Sequence, residues 1–70
     1  MERQPVMSSN ISSIGYDSGE QVLEVEFKGG ATYQYDGVPK PVWDALLLSE
    51  SKGRFLAQQI KGQFPCMRIE

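Results

Sequence analysis

The segment from Ser49 to Arg54 holds the residues best suited by type and spacing to binding an anion. It offers a serine that can cap a helix, free backbone N–H groups, a glycine that permits close approach, and the cations Lys52 and Arg54. A helix that begins at Ser49 or Ser51 and continues through Gly53 therefore predicts a phosphate site. The glycine spacing is not that of a P-loop. The alternative is an ordinary capped helix whose cations are solvated. Replacing Lys52 or Arg54 with alanine should then change the stability of the fold little.

A second candidate binding surface is the Tyr33-x-Tyr35 pair. Two aromatic rings on one face of a strand can stack on unpaired bases, as they do in several RNA-binding modules. The same pair can instead belong to the core, with its hydroxyl groups at the edge of the sheet. Lys61 and Arg68 can extend a basic patch or form a solvated face.

Catalysis and metal binding find little support in the sequence. The chain has no histidine, so the usual general base and the usual zinc ligand are both missing. Glu24 and Glu26 share a strand face, but no apolar surroundings or neighbouring nucleophile favour acid–base chemistry. Cys66 has no histidine partner. We therefore predict a protein that is not an enzyme, with no metal site and no cofactor.

Charge is distributed unevenly along the 70 residues. The net charge is −2, but residues 1–51 hold three basic and eight acidic groups, whereas residues 52–70 hold four basic groups and one acidic group. This asymmetry can mark a contact surface for an anion. The apolar run Ala45–Leu48 is too short to span a bilayer, which predicts no membrane contact. A single cysteine fits a reducing compartment, and we expect a cytoplasmic protein.

The hairpin from Glu20 to Asp36 has the clearest hydrophobic periodicity. Leu23, Val25 and Phe27 alternate with polar residues, as do Tyr33 and Tyr35, which indicates two half-buried strands. A two-residue Gly-Gly turn would place the tyrosines opposite glutamates. A three-residue loop with Gly30 in the left-handed region places Val25 opposite Tyr33 and joins the apolar faces, so we predict the three-residue loop.

The remaining chain supplies one more strand and a helical cover. Ile11–Tyr16 predicts a strand that pairs Tyr16 with Gln21 and Ile14 with Leu23 through a polar four-residue turn. A first helix should begin near Pro39, and a second should bury Phe55, Leu56 and Ile60 and end at Gly62. Together these elements predict an α+β fold, namely a three-stranded antiparallel β-meander covered on one face by two short α-helices, with a short C-terminal tail. Residues 1–9 are predicted to be a flexible N-terminal arm, and residues 10–70 a single domain.

The sequence resembles the KTSC domain family over Ser8 to Ile69. The resemblance rests on motifs in a fixed order, which are Ser-Ser-Asn-Ile, Gly-Tyr-Asp, Leu-Glu-Val-Glu-Phe, Tyr-x-Tyr, Val-Pro, Glu-Ser-Lys-Gly and Ile-Lys-Gly-x-Phe-Pro. It implies a small domain of β-meander and helices, found alone in bacteria and phages and at the C-terminus of some lysyl-tRNA synthetases. That association suggests RNA binding. Lys40-Pro41 stands where the family favours acidic residues, and Cys66 stands where it favours an aromatic one.

From these observations we expect a small non-catalytic binding module for a phosphate-bearing ligand, either RNA or a small nucleotide. The alternative is a protein-interaction or homo-oligomerisation domain without nucleic-acid binding. A chain of this length buries only ~60% of its unfolded surface, so we also expect self-association, with a dimer favoured. The candidate binding residues are Ser51, Lys52, Gly53, Arg54, Tyr33, Tyr35, Lys61 and Arg68.

Overall fold

A five-stranded antiparallel sheet forms the body of the protein in a computed structural model that describes all residues, 1–70. The strands lie in chain order, β1-β2-β3-β4-β5. Two helical segments follow β4, and the second continues as a π-helical segment. The elements are β1 (Arg3–Pro5), β2 (Ile11–Asp17), β3 (Val22–Phe27), β4 (Thr32–Asp36), α1 (Lys40–Leu48), α2 (Lys52–Phe55), the π-helical segment (Leu56–Ile60) and β5 (Cys66–Arg68).

The β3–β4 hairpin has the predicted register. Val25 lies opposite Tyr33. The Phe27 N–H donates to the Ala31 carbonyl at 2.8 Å, which closes a three-residue loop. Gly30 in that loop has a φ of 99°, a left-handed conformation that costs any residue with a Cβ roughly 1–2 kcal/mol. The apolar pattern of the two strands and the glycine pair therefore predict this hairpin correctly.

The register of the β2–β3 hairpin differs from the prediction by two residues. Tyr16 pairs with Leu23 and Ile14 with Val25, where Gln21 and Leu23 were expected. The turn is displaced because the Asp17 carboxylate accepts from the Gly19 N–H at 2.9 Å and the Glu20 N–H at 3.2 Å. Gln21 then completes the turn with a φ of 56°. A shift of two residues leaves every side chain on its predicted face.

The prediction of three strands is wrong, because β1 and β5 extend the sheet to five. Arg3–Pro5, in the segment predicted as a loose arm, pairs with Ser13–Gly15. Cys66–Arg68, predicted as a tail, pairs with Tyr33–Tyr35. Both added strands are largely exposed, so main-chain hydrogen bonds rather than burial hold them. Hydrophobic periodicity reports burial, and it therefore gave no signal for these short edge strands.

The helices cover one face of the sheet and close the core. As predicted, α1 begins after Pro39 and Gly62 stops the second helix with a φ of 82°. Trp43 is half-buried and stacks on Tyr16 with ring centroids 5.3 Å apart. The fully buried hydrophobic residues are Ile11, Ile14, Leu23, Val25, Tyr35, Val38, Leu46, Leu56 and Ile60.

Candidate functional site

Two segments about forty residues apart in the sequence meet in a polar cleft, formed by residues 7–10 of the β1–β2 loop and residues 50–54. The cleft has a volume of about 370 Å³, and Met7 is its single hydrophobic lining residue. Ser8 shapes the loop, because its Oγ accepts from the Ile11 N–H at 3.3 Å and donates to Asn10 Oδ1 at 3.2 Å. Asn10 packs so closely on the helix that a Cβ on Gly53 would lie 2.7 Å from its Oδ1.

The predicted Ser-Lys-Gly motif occupies this cleft, but each of its residues also has a role inside the chain. Ser51 caps α2, since its Oγ accepts from the Arg54 N–H at 3.2 Å. Lys52 is half-buried and reaches the end of α1, where its Nζ donates to the carbonyls of Leu47 at 3.1 Å and Ser49 at 2.7 Å. Carbonyl groups at a helix end lack intrahelical partners, so this lysine caps α1. Lys52 is therefore not the solvated cation that the sequence suggested.

Arg54 is the exposed cation of the polar cleft. Its backbone N–H is bound by the cap, but its guanidinium makes no ion pair. A second polar depression of about 510 Å³ lies on its other side, lined also by Phe55, Gln58 and Gln59. Arg54 thus borders two open polar surfaces, and Glu50 lines both of them beside it.

Phe27, Ala31, Tyr33, Tyr35, Lys61 and Cys66 line a separate aromatic groove of about 280 Å³. Tyr35 belongs to the core and is 2% exposed, whereas Tyr33 is half-buried and meets Phe27 edge to face at 5.8 Å. Burial raises the pKa of the Tyr35 hydroxyl above its usual value, and the neighbouring Cys66 and Tyr33 add to the shift. The two predicted tyrosines therefore have different environments, because one is core and the other borders a groove.

The cations without ion-pair partners gather around these two surfaces. The ion pairs of the structure use only Arg3, which reaches Glu24 and Glu70, and Lys40, which reaches Asp44. With Lys52 held by α1, and with Arg68 Nε donating to the main-chain oxygen of Glu70 at 2.8 Å, three of the seven basic residues remain. These are Arg54, which lines the polar cleft, Lys61, which lines the aromatic groove, and Lys28, whose backbone N–H donates to the Asn10 carbonyl. Arg68 lies opposite Tyr33 in the strand register, but its side chain is bonded to Glu70.

Sequence reasoning missed three contributors to these surfaces, namely Ser8–Asn10, Lys28 and Phe27. The loop at Ser8–Asn10 belongs to the first motif of the family resemblance, which was the one signal for it. No signal in the sequence marked Lys28 and Phe27 as part of a surface, because their neighbours come from β2 and from the segment after the second helix. A contact between distant segments is absent from any local pattern.

The remaining candidates show no arrangement for catalysis or metal binding. Glu24 Oε1 lies 3.7 Å from Arg3 Nη1, and Glu26 Oε1 accepts from Ser13 Oγ at 2.8 Å, so both carboxylates have contacts within the sheet. No group of three or more Cys, Asp or Glu side chains converges as a metal site would require. Neither helix has the length and apolar character needed to cross a bilayer.

Comparison with known proteins agrees with the fold and with the extent of the domain. Residues 7–64 match the model of the KTSC domain. The chain is 52% identical over 66 residues to a protein of Tsukamurella paurometabola, covering 94% of this chain and 98% of that protein. It is also similar to a lysine–tRNA ligase of Trichormus variabilis, with 39% identity over 56 residues that make up 80% of this chain and 10% of the ligase.

A solved structure extends the comparison to three dimensions. A crystal structure of a KTSC domain protein from Yersinia pestis superimposes with a TM-score of 0.93 at 48% sequence identity, covering 99% of this chain and 97% of that one. The sequence motifs, the family model and the shared fold agree over nearly the whole chain. This protein belongs to the KTSC domain family.

Proposed function

We propose that this protein is a non-catalytic module that binds a phosphate-bearing ligand, single-stranded RNA, at the basic end of its sheet. The observation that supports the proposal best is the position of the three cations whose side chains have no partner within the chain. Arg54 lines the polar cleft, Lys61 lines the aromatic groove, and Lys28 lies beside both, next to Phe27 of the groove and bonded through its backbone N–H to Asn10 of the cleft. A strand of RNA offers phosphates for such cations and unpaired bases for aromatic side chains.

Acidic residues lie at both ends of the sheet, but two of those near the proposed surface already have partners, since Glu26 accepts from Ser13 and Glu70 contacts Arg3 and Arg68. Asp17 and Asp36 both lie at the end of β3 marked by Val22, whereas Lys28 follows Phe27 at the other end. These two ends are about 17 Å apart at roughly 3.4 Å per residue. That distance is about twice the Debye length of ~8 Å at physiological salt, so Asp17 and Asp36 weakly affect an anion bound near Lys28.

The relatives add independent support for RNA as the ligand. A segment similar to this chain forms 10% of a protein named lysine–tRNA ligase in Trichormus variabilis, and similar ligases of two Nostoc species carry it too. A domain fused to an enzyme that acts on tRNA gains from affinity for RNA, because the second contact becomes intramolecular. The fusion to the ligases does not itself show contact with RNA, whereas the unpaired cations provide groups that can bind its phosphates.

The salt dependence of binding tests the proposal. We would measure fluorescence anisotropy of a labelled oligouridine of roughly eight nucleotides, a length typical of single-strand sites. If the three unpaired cations contact phosphates, log K should fall with log salt at a slope of about −2. The triple variant Lys28→Ala, Arg54→Ala, Lys61→Ala should reduce the magnitude of that slope by about 2.

Lys40→Ala is the control for position, because it removes a positive charge from an exposed pair with Asp44 on α1, away from both surfaces. It should leave the slope unchanged, since Lys40 lines neither the polar cleft nor the aromatic groove. A triple variant with the slope of the parent would refute the proposal. Binding of uridine monophosphate as tight as that of the oligomer would instead identify a small nucleotide as the ligand.

Self-association is a second candidate function, favoured by apolar side chains that α1 leaves exposed. Pro41, Ala45 and Leu48 are spaced by four and three residues and share one helix face, and Leu48 is 86% exposed. A second copy packed on this face would bury surface that a chain of this length otherwise leaves to water. Light scattering should then show a dimer that Leu48→Glu dissociates. A monomer mass that does not change across the micromolar range would exclude this function.

A further inference from the structure

The aromatic groove is a place where the fold leaves part of its apolar face uncovered. Phe27, Tyr33 and Tyr35 lie on the face that the helices cover elsewhere, but at this end the neighbouring positions are the small side chains of Ala31 and Cys66. Cys66 lies directly opposite Tyr35 across the β4–β5 pair, so a short thiol stands where a larger side chain would fill the space. The result is an open groove of about 280 Å³ rather than a closed core.

We infer that the aromatic groove receives a single unpaired base of the RNA strand, with Tyr33 beside its ring and Lys61 near its phosphate. This inference rests on the proposed function and names the part of the ligand that enters this site. The volume lies just below the range of about 300–1,000 Å³ for pockets that hold drug-sized ligands, which suits one ring system rather than a whole nucleotide.

The groove combines an aromatic surface with positive charge, as a nucleotide requires. Phe27 meets the Tyr33 ring edge to face, which fixes the orientation of that ring before a ligand binds. Lys61 lines the groove, so a cation with no partner within the chain stands at its edge, where it can contact the phosphate of a bound nucleotide. The hydroxyls of Tyr33 and Tyr35 form no hydrogen bond within the chain, unlike that of Tyr16, which donates to the Val38 carbonyl at 2.5 Å.

The groove and the polar cleft lie at opposite ends of one helical stretch. This stretch begins at Lys52 beside Asn10 and ends at Ile60, directly before Lys61 in the groove. Its nine residues span roughly 13 Å at about 1.5 Å per residue. Lys28 lies between the two surfaces, since its N–H bonds to Asn10 and its neighbour Phe27 lines the groove. A short single strand can therefore contact Arg54, Lys28 and Lys61 while one base occupies the groove.

Filling the groove separates base binding from phosphate binding. The probes are the labelled oligouridine and an oligomer of the same length made of abasic ribose phosphate. The parent protein should bind oligouridine roughly 5- to 100-fold more tightly, the range expected for stacking of one base. Cys66→Phe should remove this preference and leave the affinity for the abasic oligomer unchanged, because the added ring blocks the groove and no cation is lost.

Cys66→Ser is the matched control, since it keeps the volume of the side chain and should keep the preference. Thermal unfolding of both variants checks that the fold is retained, and Tyr33→Leu gives a second test that leaves β5 untouched. Equal affinity of the parent for both oligomers, or a preference that survives both Cys66→Phe and Tyr33→Leu, would overturn the base site while leaving RNA binding intact. Absence of binding to either oligomer would overturn the proposed function and the base site with it.

Discussion

Replacing Lys52 with methionine should destabilise the protein, although the residue is a cation near the surface. Lys52 Nζ donates to two carbonyls at the C-terminal end of α1, those of Leu47 at 3.1 Å and Ser49 at 2.7 Å. Methionine keeps an unbranched chain of similar shape but has no donor. The change therefore removes the hydrogen bonds while keeping most of the apolar contacts of the stem.

The expected loss follows from these two contacts. A hydrogen bond from a charged donor contributes about 1.5–3 kcal/mol when its acceptor is well shielded. Here both bonds are only partly buried, so water can replace part of each interaction. We therefore expect a total loss of about 1–2 kcal/mol in the free energy of unfolding. For a domain of this size, that loss corresponds to a fall of roughly 5–15 °C in melting temperature.

Urea unfolding followed by far-UV circular dichroism measures the loss directly. Lys61→Met is the matched control, because Lys61 is exposed and has no intramolecular partner, and its replacement should change the free energy of unfolding by about 0.5 kcal/mol or less. A Lys52→Met variant that unfolds at the same urea concentration as Lys61→Met would show that Lys52 does not cap α1. The alternative drawn from the sequence, in which Lys52 is a solvated cation, would then stand.

Three further predictions follow from backbone geometry, packing and burial. Gly30→Ala should lower the free energy of unfolding by about 1–2 kcal/mol because Gly30 has a φ of 99°. Gly29→Ala should lower it by about 0.5 kcal/mol or less, and equal effects of the two variants in urea unfolding would contradict this. Gly53→Ala should lower the free energy of unfolding by about 1 kcal/mol more in the parent protein than in an Asn10→Ala variant, because the added Cβ meets the Asn10 side chain. Additive effects of the two substitutions in a double-mutant cycle would refute this contact. Burial raises the pKa of the Tyr35 hydroxyl in the folded state, so the unfolded state loses this proton first as the pH rises. The free energy of unfolding should therefore fall above about pH 10, and it should fall less in Tyr35→Phe. Identical alkaline unfolding of the two proteins would count against the raised pKa.

The sequence predicts the parts of the fold in which local chemistry and burial agree. The alternation of Val25 and Tyr33 with polar residues, together with Gly30, identifies the β3–β4 hairpin and its register. Pro39 and Gly62 mark the start of α1 and the end of the second helix. At each of these places a residue's backbone preference and the burial of its neighbours favour the same structure.

The sequence fails where neither signal is present. Strands β1 and β5 lie at the edges, bury few side chains and pair through the main chain, so no periodicity marks them. The first turn was misplaced because Gln21 adopts a positive φ, which its residue type does not favour, and because the Asp17 carboxylate holds the turn. The convergence of Asn10 with Gly53 is likewise a tertiary contact between distant segments, and it decides the shape of the polar cleft.

Some basic residues stabilise the fold and others have no partner within the chain, and this difference indicates where a ligand would bind. Lys52 caps α1 and Ser51 caps α2. Gly53 has no side chain, which leaves room for the Asn10 side chain to pack on the helix. The stability of the fold is therefore a sufficient reason for the Ser-Lys-Gly sequence. Arg54 and Lys61 have no such intramolecular role, yet each lines an open surface, and exposed cations contribute little to stability. The most recognisable motif therefore builds the support, and the cations beside it are the groups left free to contact a ligand.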